Sequence, residues 1–352
     1  MVQILMGTGL LLVVLALFTL FSYKAPHGMK AMGALASAAC ASFLVEAFHF
    51  SFFGEVLGIK FLESVGAANG SLGGVAAGIL VPLALGVSPV YAVLVGLSVS
   101  GFGILPGFIA GYITSFLVRF FEEKVPAGLD LIVIIIVGAP VARAIAMGMD
   151  PIVNNTLLQI GQVLIQAADA SPIVMGIILG GLITVVATAP LSSMALTSII
   201  GLTGLPMAIG ALSVFGSSFM NYVFFSKMKF GSKKDTISVA IEPLTQSDII
   251  SANPIPVYVT NFIGGAMSGI IVSLMRLVNN TPGTATPIAG LAIMFAYNPA
   301  GKVAIAALGC MAVSILAGFI GYAIFKNYKI VTADQIRGNA PINDDDDESN
   351  IV

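Results

Sequence analysis

An all-α polytopic membrane protein of about ten helices, with internal repeats and re-entrant broken helices, is the fold class this sequence predicts. Three observations predict it. Of 352 residues, 57% are hydrophobic and only 9% charged, far from soluble composition. Many of the 15 basic and 17 acidic side chains lie in a few short stretches, chiefly 227–248 and the chain from Lys326 onward, so the remainder must tolerate lipid or protein burial. Third, three long apolar stretches repeat one local pattern, set out below. This composition excludes a soluble enzyme, a nucleic-acid binder and a secreted disulfide scaffold. Cys40 and Cys310 sit in apolar runs with no CxxC and no neighbouring His or Cys, which suggests packing residues and no metal or other cofactor.

The first apolar run, Val2 to Ser22, is long enough to cross ~30 Å of hydrocarbon at ~1.5 Å per residue. A signal peptide is the competing reading. There is no basic n-region, and the segment ends in FTLFSYK without a small-residue cleavage site, so a retained helix is expected. Orientation follows from Lys and Arg, which keep loops cytoplasmic. The clusters are Lys24 with Lys30, Arg119 with Lys124, Lys227 to Lys234, and Lys326, Lys329 and Arg337. If all face the cytoplasm, each stretch between them crosses an even number of times.

Between the first two clusters lie a helix at 31–53, a semi-polar piece, and then 71–118, too long for one span. A re-entrant hairpin followed by a full helix satisfies the parity, because irregular backbone at membrane depth is tolerated where protein or a water cavity covers it. The next stretch repeats this with a helix at 129–149, a semi-polar outer piece free of Lys and Arg, and 172–226. The last has a helix at 257–277, the loop NNTPGTATP, and apolar sequence from Ile288 to Phe325. Each stretch contains a small-residue loop, a short apolar segment, a proline and a further helix: GSLGG (70–74) to Pro89, TAPLSS (188–193) to Pro206, and TATPIAG (284–290) to Pro299. Frequent Gly, Ala and Pro in membrane helices could produce the same likeness. If the units are repeats, their broken helices place backbone N–H groups and positive dipole ends at mid-membrane, where they hold oxygen-rich substrates.

The segment NPIPVYVTNFIGGAMSG (253–269), the block GILVPLALGVSPVYAVLVGLSV (78–99) and the Thr-Pro loop at 284–287 resemble the membrane-embedded IIC component of bacterial sugar phosphotransferase systems, and within it a stand-alone group that includes the perfringolysin regulator of clostridia. The resemblance covers about residues 1–330, with a cytoplasmic loop at 227–256, and leaves an acidic tail at 331–352. It implies a multi-pass protein of the bacterial plasma membrane, a homodimer, that moves a sugar or sugar-like small molecule by an elevator-like motion while separate IIA and IIB subunits phosphorylate it. A second reading is a membrane sensor that regulates gene expression through a partner. Sugar-carrying members have a glutamate just before the proline of the threonine loop, where this chain reads Thr284-Ala285-Thr286-Pro287, so the resemblance implies that this carboxylate is missing here.

Ionisable groups in apolar runs are costly unless paired or wet, which makes each a candidate. Glu46 and His49 stand three apart, within hydrogen-bonding reach on one α-helical face, where they could bind hydroxyls, respond to pH, or merely satisfy each other at the outer interface. Arg143 and Arg276 are read as snorkelling or structural cations at least as readily as substrate contacts. Neutral polar groups on an apolar wall suit a sugar better. Asn221, Asn261 and Asn298 come first, then Thr188, Ser192, Ser193, Thr284 and Thr286, although such residues also bond across helix interfaces. Small residues at Gly74/Gly78, Gly103/Gly107/Gly111, Gly176/Gly180 and Gly265/Gly269 predict close helix contacts, within or between subunits. The loop block SVAIEPLTQSDIISANP has some β-like alternation, and the run Asp344 to Glu348 should be disordered.

Overall fold

A computed structural model of the chain describes residues 2–126, 128–168, 171–189, 191 and 193–337. Those residues are helical with connecting turns and no strand, and six helices are long and apolar enough to cross a membrane, or seven if one bent pair counts as a span. The chain is a multi-pass membrane protein, as its composition requires.

The first helix, α1, spans Val2–Lys24. Next, α2 begins as Gly28–Ala39 and continues as π-helix through Cys40–Leu44 and Glu46–Val56. Then α3 (Lys60–Gly70) meets α4 (Gly73–Ala84) at a bend of 52°. After α4 the chain turns at Gly86, whose φ of 88° favours glycine, into α5 (Pro89–Ser98), and only then into a full-length α6 (Ile104–Lys124). At ~1.5 Å per residue, the 12 residues of α4 and 10 of α5 each reach about halfway across the hydrocarbon. A hairpin of half-length helices followed by one long helix matches the arrangement that charge parity demands.

The run α7 goes from Leu129–Val133 through a π-helical turn, Ile134–Gly138, into Ala139–Ala168. It is followed by α8 (Pro172–Thr188), a short α9 (Ser193–Ile199) and α10 (Gly204–Met228). On the Lys-rich side come α11 (Lys233–Ile241), a 3₁₀ turn at Pro243–Gln246 and α12 (Ser247–Ala252). The chain then forms α13 (Pro254–Met275), a short α14 (Pro287–Tyr297), α15 (Ala300–Phe325) and α16 (Ala333–Arg337). Units two and three share the plan of a short helix, a break and a helix of 25 or 26 residues. The first departs from it, because its proline-led helix α5 stops after 10 residues and α6 completes the crossing.

Two sequence expectations are corrected. The block 233–252, expected to be a cytoplasmic loop with β-like alternation, is helical, because Ser232 and Asp235 form a reciprocal capping box that starts α11. Residues 331–337, assigned to the tail, pack back on the loop: Ile330, Ala333 and Ile336 join a cluster with Phe230, Val239 and Ile249. The Asp344–Glu348 run lies outside the described residues.

At the centre of the bundle α10 and α13 pack against each other, and each also packs against both α8 and α15. Glycine spacing explains how closely. A Cβ on Gly176 would stand 2.6 Å from the Gly269 carbonyl oxygen, and one on Gly180 would run into that of Gly265. The two GxxxG pairs therefore serve each other within the chain, letting α8 and α13 touch backbone to backbone. Likewise Gly107 and Gly111 of α6 meet Gly74 and Gly78 of α4.

Candidate functional site

Two of the small-residue breaks meet inside the protein. The Ser193 hydroxyl at the start of α9 donates to the Ala285 carbonyl at 2.6 Å, and the Asn279 N–H donates to the Gly204 carbonyl at 3.0 Å. Thr284 donates to the Thr281 carbonyl and accepts from the Asn279 amide at 2.9 Å, which folds the loop 279–286 on itself. Thr286 then leads into α14 with Pro287 in the first turn, where a proline's missing N–H is harmless. Thr188, buried at the end of α8, spends its hydroxyl on the carbonyls of Thr184 and Val185. Four of the predicted polar residues, Thr188, Ser193, Thr284 and Thr286, thus sit at or beside these meeting breaks. Ser192, also predicted, lies outside the described residues.

A cavity of about 340 Å³ opens beside this loop, lined by Phe43, Glu46, Glu55, Gly70, Met194 and Thr284 among others. It falls at the lower end of the ~300–1,000 Å³ typical of small-molecule sites. Two larger clefts, about 690 and 930 Å³, flank α1, and their walls are mostly Leu, Val, Ile and Phe with few groups for a hydroxylated ligand. Polar chemistry rather than size therefore selects the smaller one.

The structure supplies a carboxylate that the sequence seemed to lack. Thr286 donates to Glu242 Oε2 at 3.3 Å, and Glu242, at the junction of α11 and the 3₁₀ turn, is only 7% exposed. Burial pushes its carboxyl up to about 7, against the opposing pull of the Leu244 backbone and the Thr286 hydroxyl. The 3₁₀ turn that follows packs against α2 and α8, so Glu242 reaches the threonine loop from the Lys-rich connecting segment while Thr284 faces the cavity. A carboxylate beside the first turn of α14 also meets the positive end of its dipole. Sequence reading missed Glu242 by looking for it within the loop 284–287. A signal was present: Glu242–Pro243 is the one Glu-Pro pair in the chain.

Other predicted residues do not join this group. Glu46 lines the cavity, but His49 Nδ1 donates to the Val45 carbonyl at 3.2 Å and its ring packs by Phe53. The two are not hydrogen-bonded to each other, because α2 is π-helical here and its wider turn rotates a residue three positions on away from the expected face. Asn298 ties the end of α14 to the Val278 backbone through two hydrogen bonds, accepting from its N–H and donating to its carbonyl, and donates a third to the Met294 carbonyl. Arg143 caps α5 by donating to the Ser98 and Ser100 carbonyls, and lies over the Phe102 ring at 4.5 Å. Arg276 ends α13 in a left-handed conformation, φ 50°.

Asn261 and Asn221 are completely buried between α13 and α10, where the Asn261 amide donates to Asn221 Oδ1 at 2.9 Å and to the Val257 carbonyl. This is a helix-to-helix tie away from the cavity. Asn261→Ala is accordingly expected to lower stability by about 1–3 kcal/mol, by stranding Asn221, and to leave substrate KM unchanged. A detergent thermal melt with parallel uptake kinetics checks it: a raised KM with an unmoved melt would return Asn261 to the site.

Comparison with known proteins agrees with this architecture. No curated protein and no solved structure matches the chain. A family model described as Phosphotransferase system, EIIC matches residues 29–337, a span that begins at α2 and takes in both meeting breaks, Glu242 and α16. With most of its length matched, this chain belongs to the EIIC family of the phosphotransferase system, the integral membrane transporter components of that system.

Proposed function

We propose that this protein is the IIC-type permease of a phosphoenolpyruvate-dependent phosphotransferase system and carries a sugar or sugar-like substrate by alternating access past the threonine loop. The observation that carries this reading is the buried Glu242 carboxylate held by Thr286, two residues along the loop from the cavity-lining Thr284. A polyol offers hydroxyls that donate to a carboxylate and accept from threonines, and no cationic side chain lines the cavity among the described residues, which favours a neutral substrate over an anionic one. In this scheme Thr284 and Glu46 meet substrate first, and Glu242 meets it when the cytoplasmic side opens. Thr188 and Ser193 hold the flanking breaks in place. Phosphorylation falls to separate IIA and IIB subunits, and the working unit is a homodimer.

The experiment is uptake of labelled hexoses, hexitols and disaccharides by cells carrying the protein, in hosts with and without an intact phosphorelay. Saturable uptake that vanishes without the relay is expected. Uptake independent of the relay would make the protein a facilitator. No uptake of any sugar by correctly inserted protein would sink the permease and favour the sensor related to the perfringolysin regulator.

A further inference from the structure

Glu242 sits on a short cytoplasmic segment, not on a membrane-spanning helix, so something must fix that segment. The C-terminal strap after α15 does so at several points. Ala333 N–H donates to the Phe230 carbonyl at 2.7 Å. The Asn253 side chain holds Val331 by both its N–H and its carbonyl, at 2.8 Å each. At the end of the strap stands Arg337. Its Nη1 donates to Asp235 Oδ1 at 2.6 Å, its Nε and Nη2 grip both oxygens of Asp248 at 2.8 and 3.1 Å, and Nη2 also reaches Gln246 Oε1 at 2.8 Å. Both aspartates are nearly buried, with side chains 11% and 5% exposed.

The placement of these anchors matters more than their strength. Asp235 lies seven residues before Glu242 and Asp248 six after it, so the guanidinium joins the two feet of a loop whose apex is Glu242. We propose that Arg337 is the positioning residue for Glu242, closing the segment 235–248 so that its apex carboxylate is held at Thr286. Resting on the reading of Glu242 given above, it assigns a task to the last residue of α16 that no spacing in the sequence suggests. A planar fork suits the task, because it bonds two carboxylates in fixed directions, where a lysine offers one point charge. Pinning both feet removes most of the conformational freedom that would otherwise let the apex leave its buried position. Burial disfavours charge on Arg337, but Asp248 and Asp235 more than offset it and hold the guanidinium protonated. Burial would likewise raise Asp235, yet the hydrogen bonds from Ser232 and Arg337 keep it below the usual carboxylate range.

Two measurements on purified full-length protein in detergent test this without any substrate. The first is amide hydrogen exchange across 235–248. In Arg337→Ala, exchange there is expected to rise about ten-fold or more while the α8 and α13 amides stay protected. The second is the melting temperature between pH 5 and 8.5. In the native protein it falls as pH rises through about 7, because the buried Glu242 must then ionise. The charged groups on its own segment and strap are Arg337, Asp235 and Asp248, and from the packed helices the Cys40 thiol of α2 faces Glu242. If Arg337 holds Glu242 in place, Arg337→Ala abolishes that fall, as Glu242→Gln does, since a released carboxyl titrates in water at its ordinary value. Unchanged exchange over 235–248 would overturn the proposal. So would a melt lowered equally at every pH with the fall intact, the mark of a purely structural brace. Should Arg337→Ala not yield folded protein, Asp248→Asn removes one foot and is read by the same two measurements. Failure of the transport reading would appear in uptake alone and leave these readouts unmoved.

Discussion

Glu242→Gln is expected to raise the KM for uptake at pH 8 by at least about ten-fold, and by progressively less as the pH is lowered towards 6. A hydrogen bond to an ionised carboxylate contributes about 1.5–3 kcal/mol, and each 1.4 kcal/mol is a factor of ten in binding. Glutamine keeps the shape and loses the charge, so it imitates the protonated acid. Burial places the change between the two forms at about 7. In the native protein, substrate hydroxyls that donate to the carboxylate draw it towards its ionised form, so affinity strengthens as pH rises through 7. The same ionisation opposes folding. Because the folded carboxyl titrates above its unfolded value of 4.5, its stabilising contribution is complete below 4.5 and is lost as pH rises through about 7, by about 3 kcal/mol in all. Substrate should therefore protect the protein from heat more at pH 8 than at pH 6, and the variant should show neither dependence. Glu46 and Glu55 face the neighbouring cavity and Cys40 lies close to Glu242, so the pH profile is read as the difference between native and variant. Equal KM for both proteins at pH 8 would remove Glu242 from the transport path.

Gly180→Leu is expected to abolish folded protein. In α8 and α13 the backbones touch at Gly176, Gly180, Gly265 and Gly269, and a Cβ at Gly180 would stand 2.9 Å from the Gly269 Cα as well as overlapping the Gly265 carbonyl. Neither contact is the tip of a flexible side chain, so the helices must separate. That separation strains the centre of the bundle, where overpacking costs typically 1–3 kcal/mol and more when the backbone itself must move, against a total of about 5–15. Gly148→Leu on α7 is the matched control, because a Cβ there meets nothing within 4 Å. The monodisperse peak of detergent-extracted protein on size exclusion measures both. Loss of the peak for Gly180→Leu beside an unchanged Gly148→Leu is the expected pair. Equal peaks would show that α8 and α13 are not packed this closely.

The long apolar helices were legible in the sequence because length and apolarity are local properties. Apolar length and charge placement announced the long helices, and proline with small residues announced the half-length α4, α5 and α14. Glycine periodicity announced that helices would touch at 176/180 and 265/269, though only the assembled bundle showed that these pairs meet each other rather than another subunit. Local patterns failed where a long-range contact or a change of helix type intervened. Glu46 and His49 would share a face on an α-helix, and a π-helical α2 parts them. Asn221 and Asn261 had the polarity of a binding site, but they lie 40 residues apart in the chain and spend that polarity on each other. Glu242 is the clearest case. Sequence spacing places it in a hydrophilic connector, 44 residues before Thr286, and nothing local says that the connector folds inward. That depends on Arg337, 89 residues beyond Asp248, because a salt-bridged closure is decided by which distant segments the packed helices bring together. Apolar length read from the chain alone located the helices long enough to cross a membrane. Which polar groups meet at the breaks follows from the packing of distant segments, since a buried charge can be held only by partners that folding delivers.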